Sequence, residues 1–210
     1  MRVKSYICLA LFLLFPALKA QAPGATFADE FEAPQLDLSR WSPHDPFSRS
    51  SNEFKVSGGQ LHIVPGTALS TYGIFAQTWG RFELRARMPA AKELRARFRL
   101  MPIPLGQLPS IDVFETSGNS PAKILFANRW GTEQTERSFG DSFIVPDLSA
   151  DFHTIALDWT RERLLWSVDS KEKFRSVDGI PQQPMYLLLD LTGAASASQT
   201  FDIDYIRVYR

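Results

Sequence analysis

Cysteine is almost absent from this 210-residue chain; the single thiol is Cys8. It lies inside an N-terminal segment in which Arg2 and Lys4 precede an apolar run from Ile7 to Leu18, followed by Ala20-Gln21-Ala22. That run is too short to span a bilayer comfortably, and the small residues after it suit a cleavage site. A signal peptide over 1–20 is therefore expected, with cleavage after Ala22 as the alternative, and one domain over 24–210. The mature chain would then have no thiol, which excludes a disulfide framework and cysteine chemistry. It would also have no membrane span and be secreted or periplasmic. Neither sign of charge dominates, with 23 basic against 23 acidic residues. Losing Arg2, Lys4 and Lys19 leaves about −3, which is not a nucleic-acid-binding balance. Helical periodicity and internal repeats are missing as well.

What is present is period-two alternation. Arg81–Met88 and Leu94–Leu100 alternate charged and apolar residues at each step, the mark of half-buried strands. The short linker Pro89-Ala90-Ala91-Lys92-Glu93 suits a hairpin between them. Further strands are expected at Gln60–Val64, Ile124–Ala127, Phe152–Trp159, Leu164–Asp169, Met185–Leu191 and Phe201–Tyr209. Loops are expected at Pro104–Pro109 and Gly131–Asp141. Many short strands separated by turns, in a chain with 14 prolines and 12 glycines, imply an all-β, two-sheet antiparallel sandwich.

The run Ser110-Ile111-Asp112-Val113-Phe114-Glu115 stands out among them. On a strand, 110 and 112 share a face and 115 has the wrong parity. A bulge adding one residue would bring Glu115 onto that face. Three polar groups would then converge, with the outer two flanking a substrate bond. That layout suits two-carboxylate glycoside hydrolysis, except that its first member is a hydroxyl.

Several segments together carry a family resemblance. They are Phe27-Ala28-Asp29-Glu30-Phe31 with Trp41; Tyr72-Gly73 and Gly80–Pro89; Phe152-His153-Thr154; Asp158-Trp159; Trp166-Ser167-Val168-Asp169; Gln183–Leu187; and Asp204–Tyr209. In this order they resemble glycoside hydrolase family 16, the β-glucanase and laminarinase group. The resemblance implies a jelly-roll, concanavalin A-like sandwich with an open, concave glycan cleft. It also implies a motif E-x-D-x-x-E of nucleophile, helper and acid/base. Position by position, Glu115 matches the acid/base and Asp112 the helper, while Ser110 replaces the nucleophile. A neutral hydroxyl becomes a useful nucleophile only beside a base, and none of His44, His62 and His153 is near 110 in sequence. Ordinary retaining hydrolysis is therefore expected to be lost or strongly impaired.

A second departure lies on Leu94–Leu100, where family members carry cleft-facing tryptophans and this chain carries Arg95, Arg97 and Arg99. With Glu83 and Arg85 from the preceding strand, these are expected to line an electropositive cleft favouring an anionic polysaccharide, the guanidinium fork matching carboxylate or sulfate. Trp130 is the remaining candidate for stacking on sugar, whereas Trp41, Trp159 and Trp166 are assigned to the core. No cofactor is required. Asp204, with carbonyls near Glu30 and Gly58 or Gly59, resembles the convex-side structural Ca2+ site of some relatives. Three functions remain: a polysaccharide-binding protein on a hydrolase scaffold, an active endo-glycosidase or transglycosylase with an altered nucleophile arrangement, and a non-catalytic envelope scaffold.

Overall fold

The alternation of apolar residues is realised as strands along nearly the whole chain in the structure, a computed structural model that describes residues 22–43, 46, 54–194 and 199–210. The signal-peptide segment and His44 lie outside the described residues. In chain order the strands are β1 (Ala25–Asp29), β2 (Phe54–Ser57), β3 (Gln60–Ile63), β4 (Thr67–Ser70), β5 (Gly80–Arg87), β6 (Arg95–Pro102) and β7 (Ser110–Ser117). They continue as β8 (Lys123–Trp130), β9 (Arg137–Ile144), β10 (His153–Trp159), β11 (Leu164–Val168), β12 (Lys171–Ser176), β13 (Met185–Thr192) and β14 (Phe201–Tyr209). No helix among the described residues is long and apolar enough to cross a membrane.

The strands form two antiparallel sheets, as a jelly-roll sandwich requires. One follows the order β12-β11-β10-β5-β14-β3-β2 with β1 beside β14; the other follows β4-β13-β6-β7-β8-β9. Between them lies one core in which Phe82, Leu84, Phe98, Phe114, Phe126, Trp166 and Leu189 are fully buried. Side chains of this size each contribute about 2–5 kcal/mol against truncation, so the sandwich is held by its middle. Trp41, Trp159 and Trp166 are core residues, as their sequence context suggests.

Two expectations need correction. Residues 89–93 do not form a hairpin: β5 runs between β10 and β14, and β6 between β13 and β7 in the other sheet. Both strands bury their apolar residues (Phe82, Leu84 and Ala86; Ala96, Phe98 and Leu100) in the shared core. Their charged residues therefore point away from each other, on opposite outer surfaces of the sandwich. Alternation reports which residues are inside, not which sheet a strand joins. The loop expected over Gly131–Asp141 ends at Glu136, because β9 begins at Arg137 and pairs with β8 along its length. Its sparse apolar content is that of an edge strand, largely exposed.

Candidate active site

The motif strand β7 lies in the middle of the six-stranded sheet. Phe98 pairs with Phe114 and Arg99 with Asp112, so Val113 is the extra residue of a bulge. On the other side Asp112 pairs with Ala127 and Glu115 with Leu125, three steps on β7 against two on β8. Val113 and Phe114 both enter the core, and Glu115 is thereby turned onto the outer face with Ser110 and Asp112. Two contacts fix the distortion. Phe114 meets Phe98 edge-on at 6.3 Å and Phe201 at 5.9 Å. From the opposite sheet, the Trp166 indole Nε1 donates to the carbonyl oxygen of Asp112 at 3.0 Å, satisfying a backbone acceptor at the bulge.

On the outer face, Ser110, Asp112 and Glu115 line a cavity of about 440 Å³ together with Arg97, Arg99, Met101 and Arg129. Gln107 and Leu108 wall it from the β6–β7 loop, and Glu133 and Glu136 from the β8–β9 turn. Each arginine is met by a carboxylate. Arg95 donates to Glu115 at 3.1 Å. Arg97 Nε and Arg99 donate to the two oxygens of Asp190 at 2.8 and 3.0 Å. Arg129 donates to Asp112 at 2.5 Å, and its Nε lies 3.8 Å from Glu136.

Burial pushes the Asp112 carboxyl above its ordinary range; Arg129 and Arg99 pull the other way without cancelling it. Burial also works against the charge on Arg97, and Asp190 outweighs it, so this guanidinium is held more firmly protonated than usual.

The structure brings together Ser110, Asp112, Glu115, Arg97 and Arg99, with Arg95 at the rim through Glu115. It does not bring the remaining candidates there. Glu83 and Arg85 sit on β5, in the other sheet, where Glu83 accepts from Arg81 and Tyr205 and Arg85 pairs with Asp204 at 2.7 Å. Trp130 shares strand parity with the inward-facing Ile124 and Phe126. Its indole lies directly on Gly179, where an added Cβ would come within 2.0 Å of the ring. Its neighbour Arg129 takes the cleft-facing place.

Around the convex-side position expected for calcium, the acidic side chains are paired with arginines. Asp204 is engaged by Arg85, and Glu30 by a two-pronged pair with Arg207 at 2.8 and 2.9 Å. Gly58 lies in the turn between β2 and β3. Among the described residues no group of three or more acidic, histidine or cysteine side chains could hold a metal.

Arg129, Asp190, Gln107, Glu133 and Glu136 belong to the site and were not among the sequence candidates. Asp190 carried a signal: an acid set between Leu189 and Leu191 in an otherwise apolar strand must find a cation if it is buried.

Comparison with known proteins follows the same lines. The sequence profile of glycosyl hydrolases family 16 matches residues 44–207, and the chain belongs to this family. It is 30% identical over 188 residues to the endo-1,3-1,4-beta-glycanase ExsH of Rhizobium meliloti, covering 76% of this chain and 40% of that protein. The chain thus spans less than half the length of this relative. Among solved structures it resembles the laminarinase from Rhodothermus marinus, with a TM-score of 0.77 and 23% identity over 89% of this chain and 96% of the other. A Glu→Ser variant of LamA from Zobellia galactanivorans, solved in complex with laminaritriose and laminaritetraose, matches with a TM-score of 0.76 and 20% identity, covering 90% and 99%.

Proposed function

We propose that this chain is a secreted or periplasmic polysaccharide-binding member of family 16, in which retaining hydrolysis is lost or strongly impaired. The observation that carries the reading is the hydroxyl of Ser110 on the cleft floor, in line with Asp112 and the bulge-turned Glu115. Retaining hydrolysis needs two carboxyls about 5–5.5 Å apart, one attacking the anomeric carbon and one protonating the leaving oxygen. Here the attacking position carries no charge and no histidine stands beside it to activate the hydroxyl: His62 is engaged with Asp202 and His153 with Asp169, both away from this cavity. Glycan binding needs only the groove and its donors. The laminarin oligosaccharides held by a Glu→Ser variant of LamA support that separation of binding from cleavage.

The arginines extend the reading to anionic glycans. A guanidinium has five donors, and the ion pairs made by Arg97, Arg99 and Arg129 use one or two of each set. Those of the rest that face the cavity can donate to uronate or sulfate oxygens, though the buried Nε of Arg99 is not among them. Calorimetric titration with laminaritetraose and with an oligouronate, at low and high salt, tests binding and charge preference together. A reducing-end assay of the parent and Ser110→Glu tests the nucleophile. The expected result is binding by both proteins, with turnover at least about 100-fold higher in Ser110→Glu, equivalent to ~2.7 kcal/mol of barrier. Turnover by the parent at the rate of Ser110→Glu, or no binding of any oligosaccharide, would sink the proposal.

A further inference from the structure

The geometry points to Glu136 as the general base of a residual, inverting cleavage in this cleft, with Glu115 as the acid. The inference rests on the reading that the cleft holds a β-glucan. It concerns what the cleft can still do chemically once residue 110 no longer attacks.

Three observations place Glu136. Ser110 on β7 is the register partner of Arg129 on β8, so the two stand side by side on the cleft floor. Arg129 is held to Asp112 on one side and lies 3.8 Å from the Glu136 carboxylate on the other, which ties Glu136 to the Ser110 end of the motif. The β8–β9 turn that delivers Glu136 is closed by Thr135 N donating to Thr132 O at 3.0 Å, with the two threonine hydroxyls 2.9 Å apart. Ser110, Glu115 and Glu136 line the same cavity.

The chemistry of inversion asks for this arrangement. Its two carboxyls stand about 6.5–9.5 Å apart, wider than in retention, because a water must fit between the base and the sugar. Glu136 enters the cavity beside Arg129 rather than from position 110 itself, and the short serine side chain is the smallest hydroxyl that could stand there. The Ser110 hydroxyl can both donate to and accept from that water. Asp112 is a poorer base for the purpose, since it is buried and held by Arg129. Glu133 sits at the tip of the turn and lacks the arginine contact that positions Glu136.

In the step itself the water oxygen bonds to the anomeric carbon from the face opposite the leaving group, and Glu136 takes its proton. The glycosidic C–O bond breaks with its electron pair going to the leaving oxygen, which receives the proton of Glu115. The two carboxyls then regain their starting states by proton exchange with solvent.

The test is NMR of the first sugar released from laminaritetraose at high protein concentration, with calorimetric binding measured on the same samples. The α-anomer is expected first, and Glu136→Gln should lower the rate at saturating oligosaccharide at least about 100-fold, the lower side of general-base effects. Ser110→Glu should switch the first product to the β-anomer. Release of the β-anomer by the parent, a Glu136→Gln rate within twofold of the parent, or no cleavage above the protein-free blank overturns the inference. Intact binding in that last case leaves the binding proposal standing, whereas failure to bind removes both.

Discussion

Asp190 is the structural keystone of the cleft floor, and replacing it with asparagine should show this. Its side chain is 3% exposed and accepts from Arg97 and Arg99, which are 28% and 17% exposed. The register explains the convergence. Asp190 lies directly across from Arg97, and Arg99 is the diagonal neighbour, opposite Leu188. The asparagine side chain would keep the volume and one acceptor but remove the charge that two guanidiniums share, and would turn an amide N–H₂ toward them. Breaking a buried pair by neutralising one partner costs about 3–5 kcal/mol. Because both arginines keep some contact with water, the lower end applies, about 3 kcal/mol. For a domain of this size, 1 kcal/mol moves Tm by about 2–4 °C, so Asp190→Asn should melt roughly 6–12 °C lower in a calorimetric scan. Affinity for laminaritetraose should fall as well, since freed arginines no longer present a fixed wall. A Tm within about 2 °C of the parent, with affinity intact, would show that water holds these arginines as well as Asp190 does, and the argument would fail.

Two further outcomes follow from the rest of the molecule. Asp202 is pulled below its ordinary 3.8: burial opposes the shift, but hydrogen bonds from Thr200, Arg87 and His62 overcome it. A depressed folded-state value gives stability that is present above the unfolded value and lost as pH falls through the folded one, so melting curves taken from about pH 5 downward should fall more steeply in the parent than in Asp202→Asn; parallel curves would remove Asp202 from the acid response. Trp130→Ala should lower Tm, because the indole lies against Gly179, yet leave laminaritetraose affinity within about twofold; a tenfold loss of affinity, about 1.4 kcal/mol, would return Trp130 to the cleft.

Strand identity was legible in the sequence because apolar residues at every second position have only one consistent burial, which places β5 and β6, while β13 showed as a short continuous apolar run. The bulge was legible for the same reason: Asp112 and Glu115 cannot share a face without one. Sheet membership was not legible, since Phe82 on β5 and Phe98 on β6 enter the same core from opposite sides and leave identical patterns. That is why Glu83 and Arg85 looked like cleft residues and are not. Trp130 was within reach of sequence reasoning. Ile124 and Phe126 fix the inward parity of β8, which sends residue 130 inward and Arg129 out. Glu136 was not within reach, because its place depends on how the β8–β9 turn brings it beside Arg129.

The charges of the cleft argue that Ser110 and Glu136 belong together. On the strands, the four guanidiniums of Arg95, Arg97, Arg99 and Arg129 face three carboxylates: Asp112, Glu115 and Asp190. A glutamate at 110 would complete the balance, and serine leaves the floor one negative charge short beside Arg129. The turn after β8 supplies Glu136 at that end, within 3.8 Å of the same guanidinium. An exposed ion pair at this distance is worth little to stability, so neutralising Arg129 is a weak reason for the carboxylate to be there. The Glu136 carboxylate instead faces the cavity it shares with Ser110 and Glu115. Ser110 presents no anion at the floor and Glu136 presents a carboxylate at the wall, the arrangement in which water rather than the protein would attack a sugar.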